Sequence, residues 1–159
     1  MALFGPGDVP AAPVVLKGGK YGADAVAVTT DCSVLRVPAA PLLQRLESDV
    51  AVARLFNGAL LDHCRALHEK VDILSAGNVE QRLAKLFVVL CERYGDELEG
   101  GTHCVPVALT RAELASFVAA RTETVIRTLS AWQKRGLVSF TPAGFDVPDP
   151  SAFLALVRA

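Results

Sequence analysis

The sequence predicts a protein of the α+β class, and three stretches carry that expectation. Between Leu46 and Leu74, apolar residues recur alternately four and three positions apart, the spacing of a helical seam. Between Leu109 and Val138, two short amphipathic segments follow one another across a tight turn. Directly after them come two β-prone runs, Leu137-Val138-Ser139-Phe140 and Phe145-Asp146-Val147, separated by Pro142-Ala143-Gly144. That composition marks a hairpin.

With 52% hydrophobic residues over 159 positions, the chain can bury a core and holds one or two small domains. A net charge of −1 gives no overall basic balance for nucleic acid. The charge is uneven, however. From Leu109 to Ser139 five basic residues (Arg111, Arg121, Arg127, Lys134 and Arg135) stand against Glu113 and Glu123. A local surplus suffices for a DNA-contacting face, because phosphate neutralisation acts over short range. Gly5-Pro6-Gly7 interrupts the N-terminus before any signal-type apolar stretch, and no apolar run approaches the ~18 residues of a membrane span. No membrane partner is expected. Cys32, Cys64, Cys91 and Cys104 are scattered without a CxxC pair, as in a reduced, cytoplasmic protein. No nucleophile–base set or carboxylate pair stands out, so an enzyme is not expected.

Residues 1–40 are rich in Gly, Pro, Val and Ala, with Gly18-Gly19 as a turn. Ala25 to Thr30 and Ser33 to Val37 read as two short strands separated by Asp31-Cys32. Two strands do not make an independent sheet, so the segment either pairs with something else or is the remainder of a larger β domain.

Residues 41–76 read as one long helix, with Pro41 in its first turn. Leu46, Ala53, Leu60, Leu67 and Leu74 take the d positions, and Val50, Asn57, Cys64 and Val71 the a positions. Leu at d, with Val and one Asn at a, favours a parallel two-stranded coiled coil and hence a homodimer. Asp49 at g would face Arg54 at e of the partner, and Phe56 and Leu61 would widen the seam. A core helix within the monomer would show a similar pattern. Ser75-Ala76-Gly77-Asn78 breaks the helix.

Residues 77–159 form the third segment. Asn78 and Gln81 make a capping box for a helix that runs to Tyr94 and ends at Gly95. Asp96 to His103 is a polar loop, and Cys104 to Leu109 alternates as a strand. Thr110 and Glu113 make a second capping box, followed by Leu114, Phe117 and Val118 on one face. The next helix, residues 121–135, turns Val125, Leu129 and Trp132 inward and Arg127, Ser130 and Lys134 outward, and Gly136 stops it. An ordinary helical hairpin in a core would share this periodicity. The β-hairpin that follows decides for a winged helix-turn-helix, whose second helix enters a DNA major groove. Ser151 to Arg158 reads as a closing helix.

With those motifs in place, the sequence resembles the Crp–Fnr superfamily of transcription regulators, named for the cyclic-AMP receptor protein and the fumarate–nitrate reductase regulator. Leu109 to Val138, LTRAELASFVAARTETVIRTLSAWQKRGLV, matches the signature of its DNA-reading helices. Gly5-Pro6-Gly7-Asp8 resembles the PGD turn of the family's sensor β-roll, Ala25 to Val37 its last two strands, and Pro41 to Leu74 its dimer helix. The resemblance implies a partial β-roll remnant in an N-terminally truncated sensor domain, a parallel dimerisation helix, and a C-terminal winged helix-turn-helix. Glu123 and Arg127 stand at the family's base-reading positions. Their chemistry agrees, since Arg donates bidentately to guanine and Glu accepts from a cytosine amine. A surface ion pair is the alternative for two such residues four apart. Thr122 occupies the position of a third base contact, where some relatives carry Arg. Thr110, Arg111, Arg121, Thr124 and Lys134 are placed for phosphates, which position without specifying. The implied partners are double-stranded DNA, a second copy of the chain, and RNA polymerase. An effector would bias the hinge at Ser75 to Asn78.

The sensor half departs from the family. Pro10-Ala11-Ala12 stands where cyclic-nucleotide binders have an FGE turn, and Lys20-Tyr21-Gly22 where they have an Arg for the ligand phosphate. This argues against a cyclic nucleotide, for which only Lys17 or Lys20 could supply the cation. Four clustered thiolates are lacking, which argues against an iron–sulfur cluster. No cofactor is expected. His63, Cys64 and His68, grouped at g, a and e, are candidates for redox or metal sensing across the seam or for a Cys64–Cys64 bridge. A dimeric protein-interaction module whose winged helix does not bind DNA is the rival reading.

Overall fold

The first ordered feature of the chain is a turn. In this computed structural model, which describes residues 2–158 apart from Ala11, Thr30 and Glu99, Asp8 closes Gly5-Pro6-Gly7-Asp8. The Asp8 N–H donates to the Gly5 carbonyl at 3.1 Å, and Asp8 Oδ2 accepts from the Gly5 N–H at 2.8 Å. Gly7, at φ +86°, supplies the left-handed residue the turn needs. A single helical turn, α1 (Ala12–Val15), follows.

The two strands expected between Ala25 and Val37 do not form. No described residue of that stretch is in a ladder, and Val34 and Leu35 are 83% and 90% exposed. A strand needs a partner for its N–H and C=O groups, and the described residues supply none here. Thr30 and Ala11, which fall in the expected strand and in the Pro10-Ala11-Ala12 run, lie outside the described residues.

The long helix is also divided. α2 (Ala39–Ser48) and α3 (Val50–Ser75) meet at Asp49, which leaves helical geometry at φ −128° and ψ 107°. Asp49 Oδ1 accepts from the N–H groups of Ala51 at 2.9 Å and Val52 at 3.3 Å, and Oδ2 lies 3.9 Å from Arg45. The carboxylate therefore caps a new helix.

The chain divides into two compact units, one built on Ala2–Ala27 with Asp31–His68, the other mainly on residues from Glu69 onward. The second is ordered by its helix caps. Asn78 and Gln81 bond reciprocally, 3.0 Å and 2.9 Å, at the start of α4 (Val79–Tyr94). β1 (Asp96–Glu97) and β2 (His103–Val105) follow, then α5 (Arg111–Phe117), α6 (Thr122–Lys134), β3 (Ser139–Thr141), β4 (Gly144–Val147) and α7 (Pro150–Arg158). The strands form one antiparallel sheet in the order β1-β2-β4-β3. β1 arises within the expected loop. β2 stops short of the expected Leu109 because Pro106 carries no N–H. The next donors bond locally, Val107 N–H to the Val105 carbonyl at 2.9 Å and Leu109 N–H to the Val107 carbonyl at 3.1 Å. Gly144 opens β4 where any Cβ would collide with the Val105 carbonyl oxygen.

The core of this unit is aromatic. Phe87 of α4 meets Trp132 of α6 edge-on at 5.4 Å, Phe145 of β4 at 4.6 Å and Phe153 of α7 at 5.4 Å. All four are buried, with Leu83, Leu86, Leu90, Leu114 and Leu129 around them. Removing the Phe87 ring leaves a cavity at the junction of four elements. Phe87→Ala should cost about 3–5 kcal/mol of unfolding free energy, read from a urea midpoint lowered without a change in slope.

Candidate nucleic-acid interface

Helix α5 begins on its cap. The Glu113 N–H donates to Thr110 Oγ1 at 3.2 Å, while Glu113 Oε2 accepts from the Thr110 N–H and hydroxyl, each at 2.7 Å. The Thr110 hydroxyl, expected at a phosphate, is thus held by the cap. Arg111 is partly withdrawn as well. Its guanidinium lies 3.7 Å from the centroid of the Phe140 ring on β3, and burial lowers its pKa from the usual value. It ties the start of α5 to the wing and brings a cation to that edge.

Helix α6 has two unlike sides. Val125, Leu129 and Trp132 are buried; Glu123, Arg127, Ser130 and Lys134 are exposed on the other side, with Thr122 and Thr124 half-buried between. Among the described residues no ion pair joins Glu123 to Arg127. Arg121 is the N-cap, without a side-chain hydrogen bond to the helix, and is exposed. The helix ends in a Schellman motif. Gly136, at φ +71°, donates to the Gln133 carbonyl and Leu137 to the Trp132 carbonyl, both at 3.0 Å. The structure therefore gathers Glu123, Arg127 and Lys134 on one open face, with Arg121 at its N-terminal end. Thr110 and Arg111 belong to the start of α5.

Three residues outside the expected set hold that face in place. Arg82 of α4 donates to the carbonyls of Val118 at 2.8 Å and Ala119 at 3.5 Å, and Lys70 of α3 donates to the carbonyl of Phe117. Lys70 also lies 4.8 Å from the Phe117 ring centroid, and burial lowers its pKa. These cations take the carbonyls left open where α5 ends. The chain can then reverse through Ala119, a left-handed residue at φ 49°. Glu80 of α4 accepts from the Trp132 indole N–H at 2.9 Å and lies 3.7 Å from Arg135. Nothing local in the sequence marks these pairs, since they join residues 36 to 55 positions apart.

His63 stacks on Phe4 with ring centroids 6.2 Å apart, Cys64 and His68 are exposed, and no group of three metal-ligating residues exists among the described residues. Phe56, expected at the seam, is buried within its protomer. On the sheet, Cys104 donates to Asp146, which raises its pKa; burial pushes the Cys91 thiol up to about 11. No helix is long and apolar enough to cross a membrane among the described residues.

A four-stranded antiparallel sheet ending in the β3–β4 hairpin, a capped helix pair, and a second helix with Glu123, Arg127 and Lys134 exposed make up a winged helix-turn-helix fold. Residues 81–156 match the Crp-like helix-turn-helix domain, so this part of the chain carries a domain of that kind. The chain is 28% identical over 139 residues to the transcriptional activatory protein AadR of Rhodopseudomonas palustris, covering 87% of this chain and 56% of that protein. It is 23% identical, over 87% of this chain and 57% of the relative, to the nitrogen fixation regulation protein FixK of Bradyrhizobium diazoefficiens. In fold it is similar to FixK2 from Bradyrhizobium japonicum, with a TM-score of 0.63 and 21% identity over 76% of this chain and 59% of that one. The chain thus spans little more than half the length of the curated relatives it matches.

Replacing Arg82 by Met should leave the Val118 carbonyl unpaired and cost about 1–2 kcal/mol. Amide exchange at Ala120, whose N–H bonds the Ala115 carbonyl across the turn, should quicken more than exchange within α4.

Proposed function

We propose that the protein is a sequence-specific DNA-binding transcription regulator. It acts as a homodimer on a palindromic operator, reading bases through Glu123 and Arg127, with Thr122 at the edge of the contact. The observation that carries the reading is the two-sided α6. One side is locked into the core by Val125, Leu129 and Trp132, and the other presents a hydrogen-bond acceptor and a bidentate donor four residues apart and without a protein partner among the described residues. Arg111, Arg121, Thr124 and Lys134, with the Thr110 segment, supply the phosphate contacts. The names of the relatives, a transcriptional activatory protein and nitrogen fixation regulation proteins, support regulation of transcription; a cytoplasmic location and RNA polymerase as a further partner belong to the same proposal.

The homodimer rests on the helical seam. Val50, Asn57, Cys64, Leu67, Val71 and Leu74 are exposed, and Leu46, Ala53 and Leu60 are half-buried. A row of exposed apolar residues at a and d is what a second copy would cover. In this reading residues 41–76 are the dimerisation segment and 77–159 the DNA-reading domain. Two heads related by a two-fold axis read half-sites about one helical turn apart.

Arg127→Ala should weaken binding to a selected palindromic duplex by about tenfold or more at constant salt, as expected for a lost bidentate base contact. Unchanged affinity would remove Arg127 from the reading set. Lys134→Ala should weaken binding to all sequences alike and lower the salt dependence by about one phosphate equivalent. Sedimentation of the wild-type chain at micromolar concentration should give a dimer, and Leu67→Lys a monomer; a monomeric wild type would overturn the seam.

A further inference from the structure

The exposed face of α6 carries one residue that neither phosphate nor hydrogen-bond chemistry explains. Ile126 is 46% exposed, between Glu123 and Arg127 on a helix whose other large apolar residues are all buried. Three residues after Glu123, it stands about 60° round the helix axis from it, and about 100° from Arg127. It is therefore on the flank of the reading face, on the same side as Thr122. An isoleucine this exposed leaves much of its apolar surface in water, where a helix favours a polar or straight-chain residue. In a major groove the one apolar group on the base edges is the thymine C5-methyl.

We propose that Ile126 is a specificity-determining residue that selects a thymine in each half-site by packing its side chain on the C5-methyl group, next to the base pairs read by Glu123 and Arg127. This rests on the reading of α6 as the recognition helix. The polar pair would specify G·C content, and Ile126 would add an A·T pair of fixed orientation. The methyl is what separates T·A from the other pairs when no hydrogen bond is made to it.

The test uses the full chain and a duplex recovered by affinity selection from a randomised pool. Each thymine of the recovered site is replaced in turn by deoxyuridine, which lacks only the methyl group. For the wild type, one thymine per half-site should show about three- to fivefold weaker binding on replacement, the effect of withdrawing one methyl from a packed contact. Ile126→Ala should bind the thymine and deoxyuridine duplexes within experimental error of each other, and Ile126→Val should restore discrimination. Melting temperature and salt slope should stay at wild-type values in both variants, since the residue is exposed and uncharged. The inference is overturned if Ile126→Ala keeps the wild-type discrimination, or if the wild type discriminates at no thymine. A wild type with no salt-dependent duplex binding would instead overturn the DNA reading itself, and Ile126 with it.

Discussion

Phe87 lies where α4, α6, β4 and α7 meet, and the placing of the exposed face of α6 depends on that contact. Its ring touches Trp132, Phe145 and Phe153 within 4.6–5.4 Å, so one side chain sets the recognition helix, the wing and the closing helix against a common support. Aromatic rings packed at tilted and edge-on angles have few alternative arrangements of similar energy. The polar partner of this contact is Glu80, which takes the Trp132 indole N–H and so closes the rim of the same cluster. A donor left without an acceptor there would cost more than the hydrogen bond returns in a solvated position.

The geometry of the helix pair follows from how its turn is completed. α5 is only seven residues long, too short to be stable by propensity. Its N-terminus is satisfied by the Thr110–Glu113 box, and its C-terminal carbonyls by Arg82 and Lys70, which come from two other helices. The left-handed Ala119 is tolerated because those bonds over-determine the turn. In the same region Arg111 and Thr110 have structural work within the protein. One stacks on the wing and the other caps a helix, so the edge of the interface is built from groups already fixed in place. Glu123, Arg127 and Ile126 have no such structural duties.

The N-terminal half follows a different logic. Asp49 ends one helix and begins the next: where the break takes the Ala51 and Val52 amides away from the carbonyls four residues back, the Asp49 carboxylate accepts from them instead. Phe56 is buried, while Val50, Leu67, Val71 and Leu74 of the a and d row stay exposed, as do Leu55 and Leu61 beside it. The Gly5–Asp8 turn holds together through bonds among its own residues, whereas the β-prone stretch after it has no such local means.

What could be read in the sequence was local or strongly periodic. The two capping boxes, the inward triad of Val125, Leu129 and Trp132, the glycine stop at Gly136 and the hairpin turn before Gly144 are specified within a few residues of each other, and they lie where the spacing placed them. The Crp-like domain was legible because its signature residues are concentrated between Leu109 and Val138. The tertiary structure alone decided the rest. Strands at Ala25–Val37 had the right composition, but a ladder requires a second strand, which composition cannot supply. The break at Asp49 turned on a side-chain bond that competes with an otherwise regular heptad. The supports of the reading helix, Lys70, Arg82 and Glu80, became visible only once folding brought together residues dozens of positions apart. By itself the sequence determined which helix turns Glu123, Arg127 and Lys134 outward. Packing determined how rigidly that face is held, because rigidity comes from contacts between elements that no local pattern records.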